Sequence, residues 1–205
     1  MSGMNPVTWT DHDSVLFDLD GVLTPTAEVH MRAWAEMFNA FLSSWHGPAA
    51  DTSAYTDDDY FAHVDGKPRY DGVRDLLTAR GIDLPEGDPS DAPDLDTVCG
   101  LGNRKNAVFE EILETEGVEA YPGSVTLVRA LLERGTKLAI VSSSRNASAV
   151  LTAAKMIDHF PVIVDGRVAD ERFLAGKPAP DTFLDAARQL DVPKERAVVL
   201  EDALS

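Results

Sequence analysis

Short apolar runs that stop abruptly at polar residues punctuate the chain. Val15-Leu16-Phe17 runs into Asp18, Lys137-Leu138-Ala139-Ile140-Val141 into Ser142, and Ala197-Val198-Val199-Leu200 into Glu201-Asp202. Runs this short and this uniformly apolar predict parallel strands covered on both faces. Helical spacing over Ser124 to Arg134 and Pro180 to Leu190 predicts the crossover helices of a doubly wound α/β sheet. Ligands of such sheets bind in the crevice beyond the carboxyl ends of the strands, where all three polar clusters fall.

From Ala27 to Val118 the pattern changes. Val29, Ala33, Trp34, Met37, Phe38 and Phe41 recur at helical spacing, a further helix is predicted around Gly72 to Ala79, and no strand pattern stands out. This predicts a helical domain, 27–118, inserted into an α/β core made of 1–26 and 119–205. The segment from Ile82 to Gly102, rich in Asp, Pro and Gly, reads as an irregular loop. A sheet of this kind ordinarily continues past a third polar cluster with a helix and another strand, so the end at Ser205 predicts a truncated core.

Composition then narrows the possible partners. With 18 basic and 35 acidic residues the net charge is −17, which argues against a broad electropositive footprint for nucleic acid or an anionic membrane. An anionic substrate must therefore be met locally, by a metal and a few convergent cations. Cys99 is the single cysteine, no run of 18 apolar residues occurs, and the start lacks the basic, long apolar character of a signal peptide. A cytoplasmic monomer is expected.

The strongest chemical signal is Phe17-Asp18-Leu19-Asp20-Gly21-Val22-Leu23-Thr24. Two carboxylates two residues apart beyond a strand can face one site once the backbone turns, and Gly21 permits the turn. One carboxylate can attack phosphorus while the other moves protons, which makes Asp18 the candidate nucleophile and Asp20 the candidate acid/base. A solvated Asp-x-Asp-Gly turn is the competing reading. Ser142 can donate to a phosphoryl oxygen, and Ser144, Arg145 and Asn146 open the helix that follows. Lys177 precedes Pro178 in an extended segment able to reach the same crevice. Glu201 and Asp202, with Asp18 and the backbone carbonyl of Asp20, are hard oxygen donors suited to Mg²⁺.

These motifs, in this order, resemble those of the haloacid dehalogenase superfamily: Asp18-x-Asp20-x-x-x-Thr24, then Ser142, then Lys177 in Gly176-Lys177-Pro178-Ala179-Pro180-Asp181, then Glu201-Asp202. The resemblance implies a Rossmann-like core, Mg²⁺ and an aspartyl-phosphate intermediate at Asp18. Thr24-Pro25-Thr26-Ala27-Glu28-Val29-His30, followed by Trp34, is similar to the β-phosphoglucomutase branch, whose helical cap is inserted after the first motif. In that branch Thr26, His30 and Trp34 match hinge and cap positions. Arg69, in Gly66-Lys67-Pro68-Arg69, matches the arginine that grips the distal phosphate, and Ser144, Arg145 and Asn146 match the substrate side of the second motif. The implied partner is a phosphorylated sugar, interconverted between β-glucose 1-phosphate and glucose 6-phosphate. A phosphatase that surrenders the same phosphoenzyme to water is the alternative, and a phosphosugar-binding module without turnover a third. His30 and Trp34, four apart on an apolar helix face, also fit plain core packing. Lys105 is expected to be solvated, and Gly100-Leu101-Gly102 lacks the third glycine and the flanking strand of a dinucleotide site.

Overall fold

A computed structural model describes residues 9–65 and 67–202. Gly66 and the chain end at Ser205, on which two of the expectations above fall, lie outside the described residues. The chain forms two compact units, 27–116 and a second made of 1–26 with 117–205.

The second unit is built on four parallel strands in the order β3-β2-β1-β4, with β1 at Ser14–Phe17, β2 at Lys137–Val141, β3 at Val162–Val164 and β4 at Ala197–Leu200. All of β1 is buried, as its uninterrupted apolar pattern requires, whereas the edge strand β4 leaves Val199 exposed. The family resemblance and these four strands bear out the α/β expectation. One strand escaped the sequence: Val162-Ile163-Val164 is only three residues long, too short to carry a period.

In the other unit, α1 (Thr26–Ser43), α2 (Asp57–Asp59, continued by one π-helical stretch Tyr60–Val64), α3 (Arg69–Ala79) and α4 (Val98–Glu116) enclose a core of their own. No strand occurs there among the described residues. Trp34, Met37, Phe38 and Phe41 from α1 pack with Val73, Leu76 and Leu77 from α3 and Leu101 from α4. Each such side chain contributes about 1.5–3 kcal/mol by leaving water, enough for the helices to hold together as one body. The segment read as irregular loop in fact ends at Val98, where α4 begins; Gly100 sits against the Leu95 carbonyl and Gly102 against the Tyr70 ring. Those glycines serve close packing. The acidic residues ahead of them are used locally: Glu86 accepts from Nε and Nη2 along one edge of the Arg74 guanidinium, and Asp96 pairs with Arg104.

Around the sheet lie α5 (Pro122–Glu133), α6 (Ala147–Ala153), α7 (Gly166–Glu171) and α8 (Asp181–Gln189). Ala186, Ala187 and Leu190 at α8 pack on Leu16, Ala139, Val141, Val162 and Val164. In register, Phe17 lies between Ile140 and Leu200, so Asp18 and Glu201 leave the sheet at one level. The chain turns from β1 to β2 on one side and has β4 on the other, which makes the β1/β4 boundary the switch point where α/β sheets bind ligands.

Candidate active site

The turn after β1 sets the geometry. Gly21 has φ +83°, its N–H donates to the Thr24 carbonyl (2.8 Å), and the N–H groups of Leu23 and Thr24 return to Leu19 (2.9 and 3.0 Å). A Cβ on Gly21 would run into the Asp202 carboxylate. Glycine is thus required twice, for its positive φ and for the space above it. We expect Gly21→Ala to destabilise the protein by about 1–3 kcal/mol and lower turnover more than tenfold, measured by denaturant unfolding and initial rates. Unchanged rates would show that the Asp202 position carries no function.

Asp18 is buried at the strand end, its N–H donating to the Leu200 carbonyl (2.9 Å). Lys177 Nζ lies 2.5 Å from Asp18 Oδ1 and 2.6 Å from Glu201 Oε2, bridging β1 and β4. Burial, reinforced by Glu201 and Asp20 and opposed by Lys177, pushes the Asp18 carboxyl up to about 6. Asp18, Glu201 and Asp202 each present a carboxylate oxygen, all within 4.8 Å of one another. Three hard oxygen donors so close, one of them buried and reluctant to ionise, form a set that a small divalent cation fits.

Asp20 is oriented differently. Its Oδ1 accepts from the Thr26 hydroxyl, which also shares a hydrogen bond of 2.9 Å with the buried Thr24 hydroxyl. Ser142, at the end of β2, accepts from the Ser144 N–H (3.0 Å) through its oxygen, leaving its proton available to another acceptor. The Ser144 hydroxyl accepts from the Asn146 N–H (3.2 Å), and Arg145 pairs at 3.5 Å with Asp170. Asp165 went unmarked in the sequence; it is the N-cap of α7, accepting from the Arg167 and Val168 N–H groups, both at 3.0 Å.

The helical unit gathers its own polar residues. Lys105 is buried, contrary to the expectation of a solvated lysine, with Nζ 2.6 Å from His30 Nδ1 and 5.2 and 4.8 Å from the Trp34 and Phe109 ring centres. An ammonium can only donate, so Nδ1 accepts and the imidazole is neutral with its proton on Nε2. Desolvation first, then Lys105 and Arg69, hold His30 well below the ordinary histidine range. Its ring stacks on Phe109 at 4.1 Å. Arg69 donates to Asn106 Oδ1 (2.7 Å), whose amide donates to Glu110 Oε1 (2.9 Å). His30 and Trp34 therefore pack against apolar neighbours and also face a cation. A lysine at helical spacing among Leu101 and Phe109 was the signal for Lys105, since burying a charge is costly without a purpose.

The comparisons decide the family. The model for haloacid dehalogenase-like hydrolases matches residues 12–205. The chain belongs to the haloacid dehalogenase-like hydrolases. A β-phosphoglucomutase of Mycobacterium bovis is 44% identical over 192 residues, covering 93% of this chain and 73% of that protein. Among solved structures, CbbY of Rhodobacter sphaeroides in complex with xylulose-(1,5)bisphosphate aligns with a TM-score of 0.70 at 27% identity, over 94% of this chain and 79% of that one. A Clostridium difficile β-phosphoglucomutase shares the fold at a TM-score of 0.72 and 23% identity, over 94% and 77%. This haloacid dehalogenase-like chain is an enzyme, of mutase or phosphatase type. No helix among its described residues is long and apolar enough to cross a membrane.

Proposed function

We propose that the protein is a Mg²⁺-dependent β-phosphoglucomutase, converting β-glucose 1-phosphate to glucose 6-phosphate through a bisphosphate. The observation that carries this reading is the meeting of Asp18, Lys177, Glu201 and Asp202 at the ends of β1 and β4. The 44% identity to a β-phosphoglucomutase favours mutase over phosphatase. An Asp18 oxygen bonds to phosphorus as the P–O bond to the sugar breaks, and Asp20 supplies the proton to the departing oxygen. In the reverse sense Asp20 takes a proton from the sugar hydroxyl that attacks the aspartyl phosphate. Lys177 and the Ser142 hydroxyl hold phosphoryl oxygens. Asp18, Glu201 and Asp202, with the Asp20 carbonyl, would hold Mg²⁺, which offsets the negative charge of the transferring group.

Thr26, at the start of α1, holds Asp20 until substrate competes for it. Ser144, Arg145 and Asn146 are the proposed substrate contacts of the α/β unit, and His30, Trp34 and Arg69 those of the helical unit. In a chain of charge −17 the second phosphate of a bisphosphate needs a dedicated cation, and a planar guanidinium grips phosphate through paired hydrogen bonds. Arg69→Ala should thus lower isomerisation about 10- to 150-fold, the equivalent of a charge-assisted contact of roughly 1.5–3 kcal/mol, and barely touch hydrolysis of acetyl phosphate. The test follows glucose 6-phosphate and free phosphate together from β-glucose 1-phosphate with Mg²⁺ and a trace of bisphosphate. Release of phosphate alone, or isomerisation indifferent to Arg69→Ala, replaces the mutase with the phosphatase.

A further inference from the structure

Lys177 stands in the loop between α7 and α8, yet its ammonium must stay within hydrogen-bond reach of both Asp18 and Glu201. The two ends of that loop are tied together. Arg172, just past α7, places its guanidinium 2.7 Å from Oδ2 of Asp185 on α8. Asp185 is buried and fully engaged, since Oδ2 also accepts from Gln189 (2.8 Å) and Oδ1 from Arg188 (3.0 Å). Helix α8 is in turn anchored on the sheet through Ala186, Ala187 and Leu190, so its carboxylate is a fixed point relative to Asp18. Phe183, in the first turn of α8, offers its ring 5.1 Å from Lys177 Nζ.

We propose that Asp185, acting through Arg172, is a positioning residue that holds the Lys177 loop in register with the phosphoryl-transfer site. The Arg172–Asp185 pair closes the chain on either side of Lys177, and closing a loop at its base removes most of the conformations in which its middle could stray. The inference rests on the proposed role of Lys177 at Asp18, which mutase and phosphatase share. A merely structural carboxylate would act differently. Arg172 and Arg188 keep 47% and 74% of their side-chain surface exposed, so both can hydrate when Asp185 loses its charge, and the fold should tolerate the change.

Arg188 supplies the control, because it pairs with the same carboxylate from within α8 and tethers nothing. Arg172→Ala and Asp185→Asn should each lower kcat for acetyl phosphate about 10- to 100-fold, the cost of a misplaced catalytic group, with KM and Tm little changed. The double variant should lose no more than either single one, since the same link is already cut. Arg188→Ala should leave kcat intact. Independently of turnover, the Lys177 Cε–H signal in the NMR spectrum, assigned with Lys177→Arg, should broaden in Arg172→Ala and Asp185→Asn and stay sharp in Arg188→Ala. Equal behaviour of Arg172→Ala and Arg188→Ala in that spectrum overturns the positioning role. If the Lys177 signal responds as expected but wild type and variants are alike inactive, the positioning stands and the proposed reaction fails instead.

Discussion

Asp18→Asn should abolish turnover of every phosphate ester and, in the same protein, raise the melting temperature without metal. In the proposed reaction the Asp18 oxygen bonds phosphorus and an amide cannot replace it; removing a nucleophile costs at least about 10⁴-fold. The gain follows from burial. Desolvation lifts the Asp18 carboxyl from 3.8 to about 6 despite Lys177, so between those values the folded protein keeps a proton that the unfolded chain releases. Stability therefore falls as pH rises through this window, and the whole deficit is present above it. Two pKa units at about 1.4 kcal/mol each make it about 3 kcal/mol, or roughly 6–12 °C for a chain of this size. Asparagine carries no charge to desolvate. The variant should melt higher than wild type at pH 7.5 in EDTA and nearly level with it at pH 4, where folded Asp18 is already protonated. An equal difference at both values would mean that the cost of Asp18 is not electrostatic.

How much of this was legible beforehand depended on whether the information was local. Val15-Leu16-Phe17, Lys137 to Val141 and Ala197 to Leu200 carry their own signature, because a strand buried on both faces must be apolar throughout. The polar residues at their ends could be read as one site because the α/β sheet brings those ends together. Two kinds of feature were not legible. Short elements such as β3 and α7 are too brief for a period, and α4 hid behind an Asp- and Pro-rich approach that masked its start at Val98. The environments of single polar residues depend on partners far away in sequence: Lys105 meets His30 across 75 positions and Lys177 meets Asp18 across 159. Sequence spacing can nominate such residues. Only the fold decides that Lys105 is buried, that Asp165 is a helix cap and that Asp185 faces Arg172.

Asp202→Ala should remove the response of the protein to Mg²⁺ and, with it, almost all activity. Asp202 lies two residues past the end of β4, and its carboxylate occupies the space that glycine leaves at position 21. Lys177 engages the other two members of the acidic trio, Asp18 and Glu201. Metal affinity should therefore depend on Asp202 more cleanly than on its neighbours, whose loss would also disturb the lysine. A ligand that binds only the folded state stabilises it by RT ln(1 + [L]/Kd), about 2.7 kcal/mol at one hundred times Kd. Wild type should thus show a melting temperature that climbs with Mg²⁺, Asp202→Ala a flat line over the same range, and Asp202→Asn, which keeps one neutral oxygen donor, a weaker climb. Turnover should follow in the same order, because without the cation the phosphoryl group meets Asp18 and Glu201 with little but Lys177 to offset their charge. Full activity in EDTA, or an Asp202→Ala variant that still gains stability from Mg²⁺ as wild type does, would remove the metal from this site and leave Lys177 as its principal source of positive charge.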